Sequence, residues 1–324
     1  MNDSPSEAVP ADTSSSPKVS RPPHHLVRPA NTIKAIGLMF VAVTLFAGLD
    51  TSAKYLATQS GLPIVQIVWS RFIGQFLLML TFLTSLPLAE LFATRKLKWE
   101  IFRSAMMAGT TGCNFIALQY LRLDQTITVV FLAPLVVALL AGPFLGEWVG
   151  WRRLVAILVG FCGILIVVRP GFHSLHFAFI FAFGTMLTYA IFMLLTRYLA
   201  AYDKPLVMLF YSILLGTFGL MPFALWQWVW PATIGQWALL SILGVLGGTG
   251  HYFFIHAYRL APASILSPFL YVQLISMVGF GYFVFNDLPD IWTLIGSGVI
   301  IASGVYLLHR ERAARAEARL NDPI

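Results

Sequence analysis

Charge is what this chain has least of. Asp, Glu, Lys and Arg make up 11% of its 324 residues, against roughly 25% in soluble domains. Apolar residues supply 58% and the mean hydropathy is +0.78, more oil than a water-soluble globule of this size can hide. The chain belongs in a bilayer. Cysteine is nearly absent as well: Cys113 and Cys162 both lie in apolar runs, so neither a disulfide framework nor a metal site is expected. There is no His-Glu-x-x-His, no Gly-x-Ser-x-Gly and no Gly-x-x-x-x-Gly-Lys-Ser/Thr loop, which argues against a membrane enzyme of those types and against an ATP-driven pump. No cofactor is called for. The net charge of +7 does not point to nucleic acid, because the basic residues sit at the chain ends and in short connections, where they meet a membrane surface.

What the chain has is a series of apolar runs. Residues 1–32, rich in Ser and Pro, cannot bury enough surface to fold and read as a disordered tail. Ten runs follow, at 33–56, 63–85, 101–120, 125–145, 151–168, 175–198, 206–226, 236–257, 262–284 and 290–308. Each is long enough as a helix to cross roughly 30 Å of hydrocarbon. Residues 310–324 carry Arg310, Arg312, Arg315 and Arg319 and form a basic tail, expected as a short surface helix. With the N-terminus inside, seventeen Lys and Arg fall on the cytoplasmic side and two, Arg122 and Arg169, outside. That asymmetry predicts a multi-pass protein of the cell inner membrane with both termini cytoplasmic.

The chain also repeats itself. Gly109-Thr110-Thr111-Gly112-Cys113-Asn114-Phe115 returns as Gly247-Gly248-Thr249-Gly250-His251-Tyr252-Phe253. Ser70, Gly74 and Phe76 return as Ser212, Gly216 and Phe218. The boundaries are 33–170 for the first copy and 171–309 for the second. Five spans per copy is an odd number, so the second copy must cross the membrane upside down relative to the first. The expected fold is all-α and integral to the membrane, with ten transmembrane helices in two inverted five-helix repeats.

With Gly146-Glu147-Trp148 closing the fourth span and Pro262-Ala263-Ser264 and Pro268-Phe269 in the ninth, the chain resembles the EamA branch of the drug/metabolite transporter superfamily over residues 33–308. The resemblance implies a central cavity lined by the first four helices of each repeat, and a secondary carrier of a small organic metabolite working by alternating access. Family members carry amino acids, vitamins such as riboflavin, and drugs. An integral-membrane enzyme or a channel is the alternative. The partners expected are the small-molecule substrate and the lipid bilayer, with the protein a monomer or homodimer.

Of fourteen carboxylates, Asp50 is the one inside a span, and an ionised group at membrane depth is a functional candidate by default. Arg71 in the second span is its natural partner. Either the two form an ion pair that locks the first two helices together, or one of them faces the cavity and meets a substrate carboxylate or amine. A permanent pair would leave no carboxylate for proton coupling and favour facilitated diffusion or exchange. Lys54 is expected to snorkel to the outer headgroups. Asn114 and Tyr252 hold equivalent positions in the two copies, as do Cys113 and His251. These residues line a cavity, or they make hydrogen bonds between tightly packed helices. Gln273 joins them as a polar mid-span residue. Tyr189, Tyr252 and Tyr271 fall beside polar neighbours and suit stacking on a planar solute. Abundant aromatics, 14% of the chain, favour an aromatic or amphipathic substrate over an inorganic ion, which would need clustered oxygen ligands.

Overall fold

Every regular element is helical in the computed structural model, which describes residues 29–83, 91–145, 151–169, 176–199, 202–260, 266 and 269–320. In chain order the helices are α1 (Pro29–Thr58), α2 (Ile64–Leu83), α3 (Leu97–Tyr120), α4 (Leu123–Val130), α5 (Ala133–Leu145), α6 (Trp151–Val168), α7 (Ala178–Leu199), α8 (Pro205–Leu214), α9 (Leu220–Trp226), α10 (Ile234–Leu260), α11 (Val272–Phe285) and α12 (Ile291–Leu320). Residues 1–28 of the expected tail, the Gly146-Glu147-Trp148 motif, Pro262-Ala263-Ser264, Pro268 and the last four residues lie outside the described residues. α1 starts at Pro29, ahead of the expected boundary at 33, and α12 carries the last span and the basic tail as one helix.

By length and composition, five helical stretches can cross a membrane: Ile33–Thr58, Ile64–Thr81, Ala178–Thr196, Leu206–Trp226 and Ile234–Ala257. Four apolar stretches are shorter, Leu123–Val137, Leu154–Val168, Val272–Phe285 and Ile291–Tyr306. α3 is long enough, but Glu100, Arg103, Thr110, Thr111 and Asn114 dilute its apolar character.

Two expected spans are interrupted, each for a local reason. The fourth breaks at Phe131-Leu132 between α4 and α5. Pro134 sits in the first turn of α5, where its missing N–H is tolerated but cannot continue the ladder from α4. The seventh widens into a π turn over Leu215–Gly219 between α8 and α9. A π turn disturbs the regular carbonyl pairing, and the Trp69 indole donates to the Thr217 carbonyl at 2.8 Å.

The helices pack in a pattern that mirrors the duplication. α1 lies on α10 as α3 lies on α7, α2 on α10 as α3 on α8, and α1 on α11 as α5 on α7. The last helices of the two copies, α6 and α12, pair with each other. Exchanging the copies turns each contact into its counterpart. Phe76 and Phe218, equivalent residues, meet edge to face with centroids 5.6 Å apart, which puts the relating axis between them. Large side chains such as Phe72, Phe115, Leu118, Leu132 and Ile157 are buried where the halves join. α2 and α10 approach most closely at glycine: a Cβ on Gly74 would come within 2.8 Å of the Gly244 Cα.

Candidate functional site

Three helices each contribute a pair of residues one turn apart, and the three pairs converge on a single residue of a fourth. Asp50 lies on α1, Arg71 and Gln75 on α2, Thr111 and Asn114 on α3, Gly247 and His251 on α10. Spacings of three and four put each pair on a single helix face. Asn114 Nδ2 donates to Asp50 Oδ1 at 2.9 Å, and Arg71 Nη1 donates to Thr111 Oγ1. The Arg71 guanidinium also lies over the Phe72 ring, 5.4 Å from its centroid. Asp50 and Arg71, each 8% exposed, form no direct ion pair among the described residues. Of the two readings of these charges, a direct ion pair is not the contact they make here; α3 offers a separate partner to each.

Across the cluster, Gly247 lets α10 pack closely against α2. A methyl there would meet Gln75 Nε2 at 3.0 Å and Arg71 Nε at 3.4 Å. One turn on, the His251 ring packs on Phe46 of α1 with centroids 4.9 Å apart. On the adjoining flank of the α2–α10 seam is an open groove of about 450 Å³, lined by Trp69, Gly74, Leu78, Trp228, Trp237 and Ser241.

Asp50, Arg71, Asn114 and His251 are therefore brought together, and the remaining sequence candidates lie elsewhere. Tyr252 is 55% exposed and lies against His256 at 4.1 Å, on the outward stripe of α10 with Val245 and Thr249. Tyr252 follows His251 by 100° on the wheel and so stands off the face that carries the cluster. Tyr271 packs edge to face on Phe131 at 5.0 Å, with its hydroxyl against Gly304 of α12. Tyr189 stacks beside Phe192 at 6.4 Å, next to Thr188, which accepts from Thr110 Oγ1 at 2.9 Å. Gln273 is half-buried on α11.

One expectation for a charged group is reversed. Lys54 does not snorkel. It is 8% exposed, and its Nζ donates to the Leu121 carbonyl at 3.1 Å and to Asp287 Oδ2 at 3.2 Å, over the Phe285 ring at 4.7 Å. Asp287 follows Asn286, whose left-handed backbone (φ 57°) ends α11 and turns the carboxylate back towards α1. Arg103, on α3, is 3% exposed. It donates to Glu100 at 3.1 Å, to Ser212 Oγ at 2.9 Å and to the Met208 carbonyl. Gln75 and Thr111 were not singled out from sequence. Gln75 stands four residues after Arg71 in an apolar helix, and that spacing is the signal that could have found it.

The duplicated apolar helical chain is shared with known proteins. The EamA-like transporter family matches residues 33–169 and again 176–309. The chain belongs to that family. Among EamA-like relatives it is 25% identical to an S-adenosylmethionine uptake transporter of Rickettsia conorii, covering 87% of this chain and 95% of the relative. It is 27% identical to a riboflavin transporter of Vibrio cholerae, covering 84% and 92%, and 24% identical to a pseudopaline exporter of Pseudomonas aeruginosa, covering 84% and 95%. One solved crystal structure shares the fold at a TM-score of 0.57 and 15% identity, over 85% of this chain and 96% of that one. The EamA-like protein is thus a membrane transporter of small molecules.

Proposed function

We propose that the protein is a secondary carrier that moves a small aromatic or amphipathic organic metabolite across the cytoplasmic membrane by alternating access. Its ten spans form two inverted five-helix repeats, with both termini in the cytoplasm. The observation that carries this reading is the buried cluster of Asp50, Arg71, Asn114 and His251 between the copies. Opposite charges held deep in an apolar bundle are costly unless they serve a function. They are also placed where a rocking motion of one repeat against the other would expose them first to one side and then to the other. The solutes in the relatives' names, S-adenosylmethionine, riboflavin and pseudopaline, favour an organic solute over an inorganic ion.

The test is counterflow in proteoliposomes preloaded with unlabelled riboflavin, S-adenosylmethionine or an aromatic amino acid. Saturable exchange of the labelled solute supports a carrier. Ohmic current would mean a channel, and chemical conversion an enzyme. Arg71→Ala is expected to abolish the exchange while leaving folded protein in the membrane.

A further inference from the structure

The α2–α10 seam holds polar atoms that its packing does not use. Among the described residues, Arg71 Nε, Gln75 Oε1 and His251 Nε2 are buried and meet no hydrogen-bonding partner in the protein. Gln75 is 2% exposed and Arg71 8%. A buried polar atom left unpaired costs roughly 1–3 kcal/mol, and leucine at these positions would pack without that cost. The atoms are also grouped. Arg71 and Gln75 sit one turn apart on α2, and Arg71 Nε and the amide nitrogen of Gln75 both lie against Gly247. His251 lies one turn along α10 from that glycine, on the Phe46 ring. Arg103, at the counterpart seam between α3 and α8, is different: its nitrogens all donate within the protein, to Glu100, Thr196, Met208 and Ser212.

We propose that Arg71 Nε, Gln75 Oε1 and His251 Nε2 read a neutral amide-like edge on the transported solute. Such an edge puts a donor beside an acceptor, as in a carboxamide, lactam or imide on a flat ring, and Phe46 supplies the apolar wall. The inference rests on the carrier reading and narrows its substrate class. Arg71 Nε can only donate, so it needs an acceptor. Gln75 Oε1 can only accept, so it needs a donor. A carboxylate or phosphate brings acceptors alone and would oppose Gln75 Oε1 and the nearby Asp50. An ammonium brings donors alone and would oppose the guanidinium. The cluster already holds one cation and one anion, so a neutral group leaves its charge balanced. Gly247 packs directly on Arg71 and Gln75, with Gln75 Nε2 only 3.0 Å from where its Cβ would be, so the edge has room only once this contact parts. The solute reaches these atoms when α10 swings away from α2, parting the Gly74–Gly244 contact.

Binding to the full-length protein in nanodiscs tests this with three probes on one ring, nicotinamide, nicotinate and 3-picolylamine, and with riboflavin as a fused imide. Nicotinamide and riboflavin are expected to bind, and nicotinate and 3-picolylamine to bind at least tenfold more weakly. Gln75→Met should weaken both amide-type probes by about tenfold or more, with the thermal midpoint kept within a few degrees. Gln75→Glu should shift preference towards 3-picolylamine. The proposal is overturned if Gln75→Met binds the amide probes like the wild type, because ordered water alone would then satisfy the three atoms. It is equally overturned if nicotinate outcompetes nicotinamide, or if no probe binds. Counterflow separates the two readings. Saturable exchange of nicotinate keeps the carrier and sinks the amide edge. Tight Gln75-dependent binding without exchange of any probe keeps the recognition and sinks the carrier.

Discussion

Asp50 and Arg71 show what a membrane interior demands of a single residue. Neither charge touches the other, yet each has a hydrogen bond from or to α3, so the two are held near one another without neutralising contact. Removing one leaves the other buried and uncompensated, which in protein interiors costs about 3–5 kcal/mol. Arg71→Gln alone should therefore lower the thermal midpoint markedly in detergent. The double change Asp50→Asn, Arg71→Gln should recover most of that loss, while counterflow stays absent; transport restored by the double change would make the pair structural only. Lys54 and Asp287 make a milder case, since the Asp287 side chain is 31% exposed and water screens the pair. Their coupling in a double-mutant cycle should be on the order of 1 kcal/mol, at the upper end for exposed pairs. A coupling near zero would mean that Lys54 is held by the Leu121 carbonyl alone. These residues were legible in the sequence to different degrees. Asp50, Arg71, Asn114 and His251 stood out because polar groups are rare in apolar runs. Thr111 did not, since threonine can satisfy itself on the preceding turn, and Lys54 was misjudged because its partner Asp287 lies 233 positions away.

At the level of elements, glycine decides how closely helices meet. The α2–α10 crossing depends on Gly74 and Gly244, whose backbones leave no room for a methyl on either side. Gly244→Ala should force the helices apart at a cost of roughly 1–3 kcal/mol, the range for overpacking a tight core, and should reduce transport. Gly279 on α11 is the control. A Cβ there meets nothing within 4 Å, and alanine in a helix interior is favoured over glycine by roughly 0.5–1 kcal/mol, so Gly279→Ala should raise the thermal midpoint slightly. Equal effects at both sites would refute the close crossing. Gly74 stood out in the sequence through its repeat partner Gly216, but that it met Gly244 on α10 did not follow from it. Nor did the break in the fourth span and the π turn in the seventh, where hydropathy alone runs smoothly through Pro134 and Leu215–Gly219.

The whole molecule was the most legible scale, because duplication is written in residue identities while contacts are not. Equivalent helix pairs recur on both sides of the relating axis, and Phe76 meets its own counterpart Phe218. Orientation in the membrane makes a prediction that these contacts alone do not. If five spans separate each residue from its repeat, equivalent loops face opposite sides. The Arg95–Lys98 connection and the Asp203 connection, joined through Thr94 Oγ1 to Asp203 at 2.5 Å, then face the cytoplasm with both termini. The Gln227–Pro231 segment and the Asp287–Asp290 connection face outwards. Cys113 and Cys162 are the two cysteines of the chain, so Cys113→Ala, Cys162→Ala provides a blank background for labelling in intact cells. Single cysteines at Gln227 and Asp290 should react with an impermeant maleimide added outside, whereas one at Lys98 should react only after the membrane is opened. Labelling of all three from the same side would require an even number of crossings between them, and two repeats so arranged could not exchange inward- and outward-facing forms.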